Sequence, residues 1–233
     1  MRLPVPSVTH PDEFTGADAL TLSCTQTNLP AGEQRKLVKA WCALLPTLQL
    51  KSLVFSSKVS QDLFDAATQI KGLEALNVKW SSIKSIASVT GCRSLAVLDI
   101  GSSPSLTGLK YLEQLPKLRV LRVENVKEAQ DLTFANSLTG LEEFGVCGSM
   151  GANQKIDSLW PLKDLQRLEL LWLTSAKVLN GGLLPLHGLR RLTTLRCAFN
   201  FSASEFAAIR DAVPSLKFGS PFEPDLIRQY CKG

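Results

Sequence analysis

The stretch "LPKLRVLRVENV", residues 115–126, combines two different spacings of apolar residues. Leu115, Leu118 and Leu121 stand three apart, whereas Val123 follows Leu121 after only two residues. A spacing of two places side chains on one face of a strand, and a spacing of three suits a tight turn or a helix. The stretch therefore predicts a turn that leads directly into a short strand.

The pattern L-x-x-L-x-L that contains this strand recurs along the chain. It begins at Leu50, Leu73, Leu95, Leu118, Leu141, Leu165 and Leu192, in steps of 23, 22, 23, 23, 24 and 27 residues. One such unit cannot bury its leucines alone, but stacked units share a continuous core. The repeat therefore predicts a stack of coils, each of which contributes one strand to a common sheet.

This pattern resembles the L-x-x-L-x-L-x-x-N-x-L signature of leucine-rich repeat proteins, and its length is similar to that of the short internalin-like class with 22–24-residue repeats. The unit at 73–94 also keeps the apolar second half of the repeat, with Ile83, Ile86 and Val89 three apart. The resemblance implies an α/β fold: a right-handed solenoid, shaped as a horseshoe or arc, with a parallel sheet on its concave side. The family's asparagine is present only as Asn200, so we expect serine hydroxyls to replace it in part.

The ends of the chain differ from the repeats. We predict an N-terminal arm with a capping strand and helix over 1–49, repeats over 50–215, and a terminal strand with a C-terminal tail over 216–233, all within one structural domain. Helical patterns occur over 31–45, 60–70 and 202–213, so the solenoid is expected to be helix-backed at both ends. The last full unit, 165–191, is expected to carry an insertion as a loop around residues 180–182.

Composition excludes several classes of protein. The 233 residues carry a formal charge of +5, which is too small and too evenly spread to indicate a nucleic-acid partner. The chain has no run of 18 apolar residues and no signal-peptide pattern at its N-terminus, so no membrane span is expected. Six widely spaced cysteines without a CxxC motif predict reduced thiols and a cytoplasmic protein.

No motif for catalysis or metal binding appears. The chain lacks a GxSxG elbow and a Walker-type phosphate loop, and its two histidines, His10 and His187, have no nucleophile at a motif spacing. We therefore expect neither an enzyme nor a cofactor. The alternative, a regulatory or enzymatic domain that holds a small molecule in a trough on the sheet, stays open.

The outward-facing strand residues form the predicted partner-binding site on the concave face. They are Trp80, Asp99, Arg122, Glu124, Arg167, Trp172, Arg196 and Phe199. Exposed Trp and Arg are enriched at interface hot spots, and a face of mixed charge suits a protein partner better than a polyanion. Two other interpretations stay open: the charges pair with one another, as Glu143 with Arg167 and Glu169 with Arg196, or loops cover the aromatic rings. By contrast, Trp41 and Trp160 fall on apolar stripes and are predicted to be core.

The function that fits best is a non-enzymatic protein-protein interaction module that binds its partner on the concave face. One concrete form would be an inhibitor or immunity protein that covers a toxin. The sequence does not identify the partner.

Overall fold

The computed structural model describes residues 6–149, 151–197 and 201–219. The Cα positions form two compact units, Met1–Leu118 and Arg119–Gly233, and each is described here by itself. Among the described residues, no helix combines the length and the apolar character that crossing a bilayer requires.

Residues 6–118 of the first unit contain five parallel strands and two α-helices. Its strands are β1 (Ser7–Val8), β2 (Ala19–Leu22), β3 (Ser52–Phe55), β4 (Ala75–Trp80) and β5 (Val97–Ser102), and they lie side by side in chain order. Its helices are α1 (Ala31–Leu44) and α2 (Gln61–Ala67). Short 3₁₀ segments at Ala87–Gly91 and Leu109–Gln114 return the chain to the start of the next strand. This is the strand–turn–return unit that the repeat predicts.

The alternation of apolar residues explains which side of each strand is buried. In β4 and β5, Leu76, Val78, Leu98 and Ile100 are fully buried, whereas the residues between them are partly or fully exposed. Successive side chains of a strand point to opposite faces, so one face of the sheet packs on the core and the other is open. The open face is the surface on which the predicted site residues of this unit lie.

The N-terminal arm adds a strand that the sequence pattern does not predict. Strand β1 pairs with β2 in parallel, and the Trp41 indole Nε1 donates a hydrogen bond to the Thr9 carbonyl at 2.7 Å. Because Trp41 is fully buried on α1, this bond fixes the arm against the capping helix. The prediction that Trp41 belongs to the core is correct.

Serines replace the missing repeat asparagine in the first unit. The buried hydroxyls of Ser81 and Ser103 lie 2.6 Å apart, and Ser81 Oγ accepts a hydrogen bond from the Ile83 N–H at 3.2 Å. Ser103 also donates to the Gly101 carbonyl at 2.7 Å. These bonds satisfy buried turn groups that would otherwise lose their hydrogen bonds to water.

The described residues of the second unit form two parallel sheets and one α-helix. Its strands are β6 (Val120–Glu124), β7 (Glu143–Cys147), β8 (Gln154–Ser158), β9 (Leu170–Leu173), β10 (Ala176–Asn180) and β11 (Thr194–Cys197). The larger sheet has the order β6, β7, β9, β11, and β8 pairs with β10 in a separate sheet. Helix α3 (Ala203–Ala212) begins with a capping box, in which Ser202 accepts from the Glu205 N–H and Glu205 accepts from the Ser202 N–H.

One repeat starts three residues later than the pattern predicts. In β9, Leu171 pairs with Phe144 of β7 and with Leu195 of β11, so this unit begins at Leu168 and not at Leu165. Leu165 instead occupies the preceding turn, where its carbonyl accepts the Leu168 N–H at 2.9 Å. The same turn bond occurs in neighbouring repeats, for example between the Leu118 N–H and the Leu115 carbonyl.

The shifted start moves the predicted insertion. The 27-residue unit runs from Leu141 to the residue before Leu168, and its extra residues lie near Ser149, which forms an antiparallel bridge with Ala152. Residues 180–182 are not a protruding insertion, because Asn180 ends β10 and the two glycines after it form a left-handed turn.

Cysteines behave as small core residues where the structure describes them as buried. Burial raises the pKa of the Cys24 and Cys197 thiols to about 12 and that of Cys92 to about 11.

The prediction that Trp160 belongs to the core is wrong. Trp160 begins a 3₁₀ turn after β8 and is 49% exposed.

Candidate partner-binding face

Four strands of the second unit carry one row of residues across the middle of the open face. The register places Arg122 of β6 beside Gly145 of β7, Gly145 beside Trp172 of β9, and Trp172 beside Arg196 of β11. The sequence pattern selects Arg122, Trp172 and Arg196 as site residues, but it places Trp172 at the end of its strand. The three-residue shift brings Trp172 to the centre, between the two arginines.

Gly145 allows residues that are two strands apart to meet. Neighbouring strands are about 4.8 Å apart, so β6 and β9 are separated by roughly twice that distance. A Cβ atom at Gly145 would lie 3.2 Å from Arg122 Cγ and 3.5 Å from Trp172 Cβ. Because Gly145 has no side chain, Arg122 and Trp172 fill the space above β7 from opposite sides.

Two guanidinium groups lie against the Trp172 ring. Arg122 Cζ is 5.1 Å from the ring centroid, and Arg196 Cζ is 5.2 Å from it. Cations within about 6 Å of an aromatic centroid are attracted by about 0.5–2 kcal/mol, depending on exposure. The three side chains, here called the Arg–Trp–Arg cluster, therefore hold one another in place on the open face.

The two arginines differ in their charge environment. Arg122 donates to the Glu143 carboxylate at 2.5 Å, and both side chains are about one-third exposed. For a pair that is this accessible to water we expect about 0–1 kcal/mol of stabilisation. Arg196 is exposed, and no acidic side chain in the described part of the chain forms an ion pair with it.

In this unit, Glu143 and Glu169 form ion pairs with other arginines than those predicted. Glu143 lies opposite Leu170, not Arg167, and its carboxylate binds Arg122. Glu169 binds Arg191, not Arg196. Arg167 itself is exposed in the turn before β9, away from the strand row, because the repeat starts at Leu168. Neither the motif nor the charge pattern distinguishes the two registers.

The indole N–H of Trp172 does not contribute to the cluster. Its Nε1 is buried and forms no hydrogen bond. The ring itself contacts both guanidinium groups of the cluster. The indole is therefore held at this place by its ring faces, not by its N–H.

The remaining predicted site residues are located as follows. Glu124 is on β6, partly exposed, and pairs in register with Cys147 of β7. In the first unit, Trp80 pairs in register with Ser102, and the Lys79 ammonium lies 4.6 Å from the Trp80 ring centroid. Asp99 is partly exposed opposite Asn77. Phe199 lies outside the described residues.

Metal binding finds no support in the described residues. They contain no group of three or more His, Cys, Asp or Glu side chains that could hold an ion. Two cavities of about 540 and 430 Å³ lie away from the open face. The larger is lined by residues of α1 and α2, and the smaller by the turn after β10 and by α3.

Comparison with solved structures tests the fold. Neither a protein-family model nor a curated protein matches the sequence. An internalin, inlF, from Listeria monocytogenes superposes with a TM-score of 0.57 at 22% identity, covering 84% of this chain and 59% of the internalin. This chain has the leucine-rich repeat fold. The predicted α/β class with a parallel sheet and the internalin-like resemblance are confirmed at the level of the fold.

Two plant leucine-rich repeat structures show the same fold at lower identity. The plant peptide hormone receptor RGFR1, in complex with RGF2, has a TM-score of 0.54 at 14% identity and covers 94% of this chain. The Arabidopsis receptor kinase HAESA, in complex with the peptide hormone IDA and the co-receptor SERK1, has a TM-score of 0.53 at 18% identity and covers 88%. This leucine-rich repeat chain spans 38% and 34% of those two chains.

Proposed function

We propose that this leucine-rich repeat protein is a non-enzymatic module that binds a protein partner on the open face of its sheet. The observation that carries the proposal is the Arg–Trp–Arg cluster, in which Trp172 lies between Arg122 and Arg196 above Gly145. Tryptophan and arginine dominate the small set of residues that contribute most of the binding energy at protein interfaces. A cluster of them at the centre of an open sheet is a suitable anchor.

The charges around the cluster favour a protein over a polyanion. Acidic and basic side chains are mixed at the strand starts, as in the pairs of Arg119 with Glu142 and Arg191 with Glu169. Nucleic acids need a continuous basic surface, and a mixed face would repel phosphates at each carboxylate. Two of the similar solved structures are complexes with peptides, which also supports a role in protein recognition.

The alternative of a small-molecule trough on the same face has less support. Small-molecule sites are usually enclosed pockets of about 300–1,000 Å³. The two cavities described above have no residue of the Arg–Trp–Arg cluster in their lining. The open face instead offers a row of side chains, which suits a broad contact.

The test compares two tryptophans of the same unit, of which Trp172 is partly exposed on the open face and Trp160 is exposed beyond β8. The wild-type chain is immobilised, its partner is captured from a lysate of the source organism and identified by mass spectrometry, and dissociation constants are then measured by calorimetry. Trp172→Ala is expected to weaken binding by about 30-fold or more, the size of a hot-spot loss. Trp160→Ala removes a 49% exposed tryptophan beyond β8 and is expected to bind as wild type.

The opposite pattern decides against the proposal. If Trp160→Ala loses the partner and Trp172→Ala keeps it, binding occurs near the β8 and β10 sheet and not at the strand row. The finer form of the proposal is a cytoplasmic inhibitor or immunity protein that covers a toxin. It requires in addition that the purified chain suppress the activity of the captured partner at equimolar concentration.

A further inference from the structure

The Arg196 side chain is positioned by an aromatic ring, and no acidic side chain in the described part of the chain forms an ion pair with it. Its guanidinium rests on the Trp172 ring at 5.2 Å, and the side chain is exposed. Three other arginines of this unit have acidic partners: Arg122 with Glu143, Arg119 with Glu142, and Arg191 with Glu169. Arg196 therefore differs from its neighbours in having an aromatic partner and no acidic one.

Stacking prepares the guanidinium for one kind of ligand. An arginine on an aromatic face keeps the N–H groups at the edge of its plane free, and these match the two oxygens of a carboxylate. Because the ring already restricts the side chain, less rotamer entropy is lost when a ligand binds. The contact with Trp172 thus favours a planar, bidentate ligand over simple attraction to any anion.

The surrounding acids restrict the ligand further. Glu143 is the first residue of β7, and Glu169 directly precedes β9, the strand between β7 and β11. A polyanion that reached Arg196 would approach these carboxylates, which costs binding energy through like-charge contact. A single carboxylate on an otherwise neutral segment avoids that repulsion.

We propose that Arg196, stacked on Trp172, receives the carboxylate of an Asp or Glu side chain from the protein partner. This inference rests on the proposed function and adds to it the chemical class of the contact. Arg122 stays bound to Glu143 and supports the other side of the Trp172 ring. The partner is therefore expected to present an acidic residue at the centre of its contact surface.

The experiment uses a small probe, so it does not depend on finding the partner. N-acetyl-glutamate amide, which has only the side-chain carboxylate, is titrated into ¹⁵N-labelled protein, and the Nε–Hε signal of Arg196 is followed by NMR. N-acetyl-glutamine amide is the neutral match, and inorganic phosphate is the competing anion. We expect saturable shifts with the glutamate probe and at least about tenfold weaker binding of the glutamine probe, as for loss of a charge-assisted hydrogen bond.

Matched variants separate a site from general charge attraction. Arg196→Gln is expected to abolish the saturable shifts, which are then followed at the Trp172 indole signal. Arg190→Gln removes the same charge from an exposed turn before β11 and is expected to bind the probe as wild type. Equal effects of both variants, absence of saturable shifts, or tighter binding of phosphate than of glutamate would each overturn the inference.

The outcome can be told apart from that of the proposed function. If the glutamate probe binds at Arg196 but no protein partner uses the open face, the carboxylate site stands and the proposed function fails. If Trp172→Ala abolishes binding of the captured partner while Arg196→Gln leaves it unchanged, the proposed function stands and the carboxylate contact is wrong.

Discussion

Adding one methyl group at Gly101 tests how closely β4 and β5 approach each other. A Cβ atom at this position would lie 1.6 Å from the Lys79 carbonyl oxygen and 2.5 Å from the Lys79 carbonyl carbon. Carbon and oxygen normally stay at least about 3.3 Å apart, so Gly101→Ala must move one strand by about 1.7 Å. That movement strains the hydrogen bond from the Ser81 N–H to the Ser102 carbonyl, which is 3.1 Å long.

The expected loss of stability follows from these contacts. Overpacking costs about 1–3 kcal/mol, and a weakened backbone hydrogen bond adds about 1 kcal/mol. The alanine restricts the unfolded chain and returns about 0.4–1 kcal/mol. The net loss is about 1–3.6 kcal/mol, which lowers Tm by roughly 2–14 °C at this chain length.

The control makes the same substitution at a strand glycine with a flexible neighbour. At Gly145 the new atom meets Arg122 Cγ at 3.2 Å, and a side-chain atom can shift where a backbone carbonyl cannot. Gly145→Ala is therefore expected to change the free energy of unfolding by less than about 1 kcal/mol. Thermal melts followed by circular dichroism compare the two variants. If Gly101→Ala melts within 1 °C or so of wild type, the close approach of β4 and β5 is wrong.

Three further predictions concern burial and charge. Burial raises the thiol pKa values of Cys24, Cys92 and Cys197 to about 12, 11 and 12. We expect these thiols to stay unlabelled by iodoacetamide at pH 8 in the native protein and to react fully in guanidinium, as measured by peptide mass spectrometry. Rapid labelling of the native protein would contradict their burial. The hydrogen bond from the Ser202 N–H lowers the pKa of the Glu205 carboxylate below its ordinary value of 4.5. The stabilisation that the ionised carboxylate contributes is therefore present above pH 4.5 and is lost as the pH falls through the lowered pKa. The Tm difference between wild type and Glu205→Gln should shrink from pH 7 to pH 3, and a constant difference would contradict the shift. Outside the open face, Trp160 is 49% exposed and Trp41 is buried, so Trp160→Phe should remove most of the acrylamide-quenchable fluorescence of these two tryptophans. Because the Trp160 ring is half exposed, the Tm should change by no more than about 2 °C.

The repeat is readable from sequence because one physical requirement, burial of one strand face, imposes a fixed spacing on every coil. The helix starts are readable for a similar reason, since Ser60 accepts a bond from the Leu63 N–H and Ser202 forms a capping box with Glu205. Strand β1 and the β8–β10 pair were not predicted. Two-residue strands such as Ser7–Val8 carry no periodic signal, and their pairing depends on neighbours that are distant in sequence.

The register of β9 shows where periodicity stops being informative. The run from Leu165 to Leu173 matches L-x-x-L-x-L twice, once from Leu165 and once from Leu168. Only the second register buries both Leu171 and Leu173, which are 0% and 1% exposed, while Leu170 stays partly exposed. Counting cannot resolve the ambiguity from the sequence, because each register places three leucines at the buried positions of the motif.

The three-residue shift of the β9 register also determines what the open face can bind. In the predicted register, Glu169 would occupy the centre of its strand between Gly145 and Arg196, and the face would consist of paired charges. In the observed register Trp172 occupies that place, because Leu171 beside it is the residue that enters the core. A tryptophan between two arginines offers an apolar surface and an available cation together, which a row of salt bridges does not. The case for a protein partner therefore depends on the position of Leu168 as the first residue of its repeat.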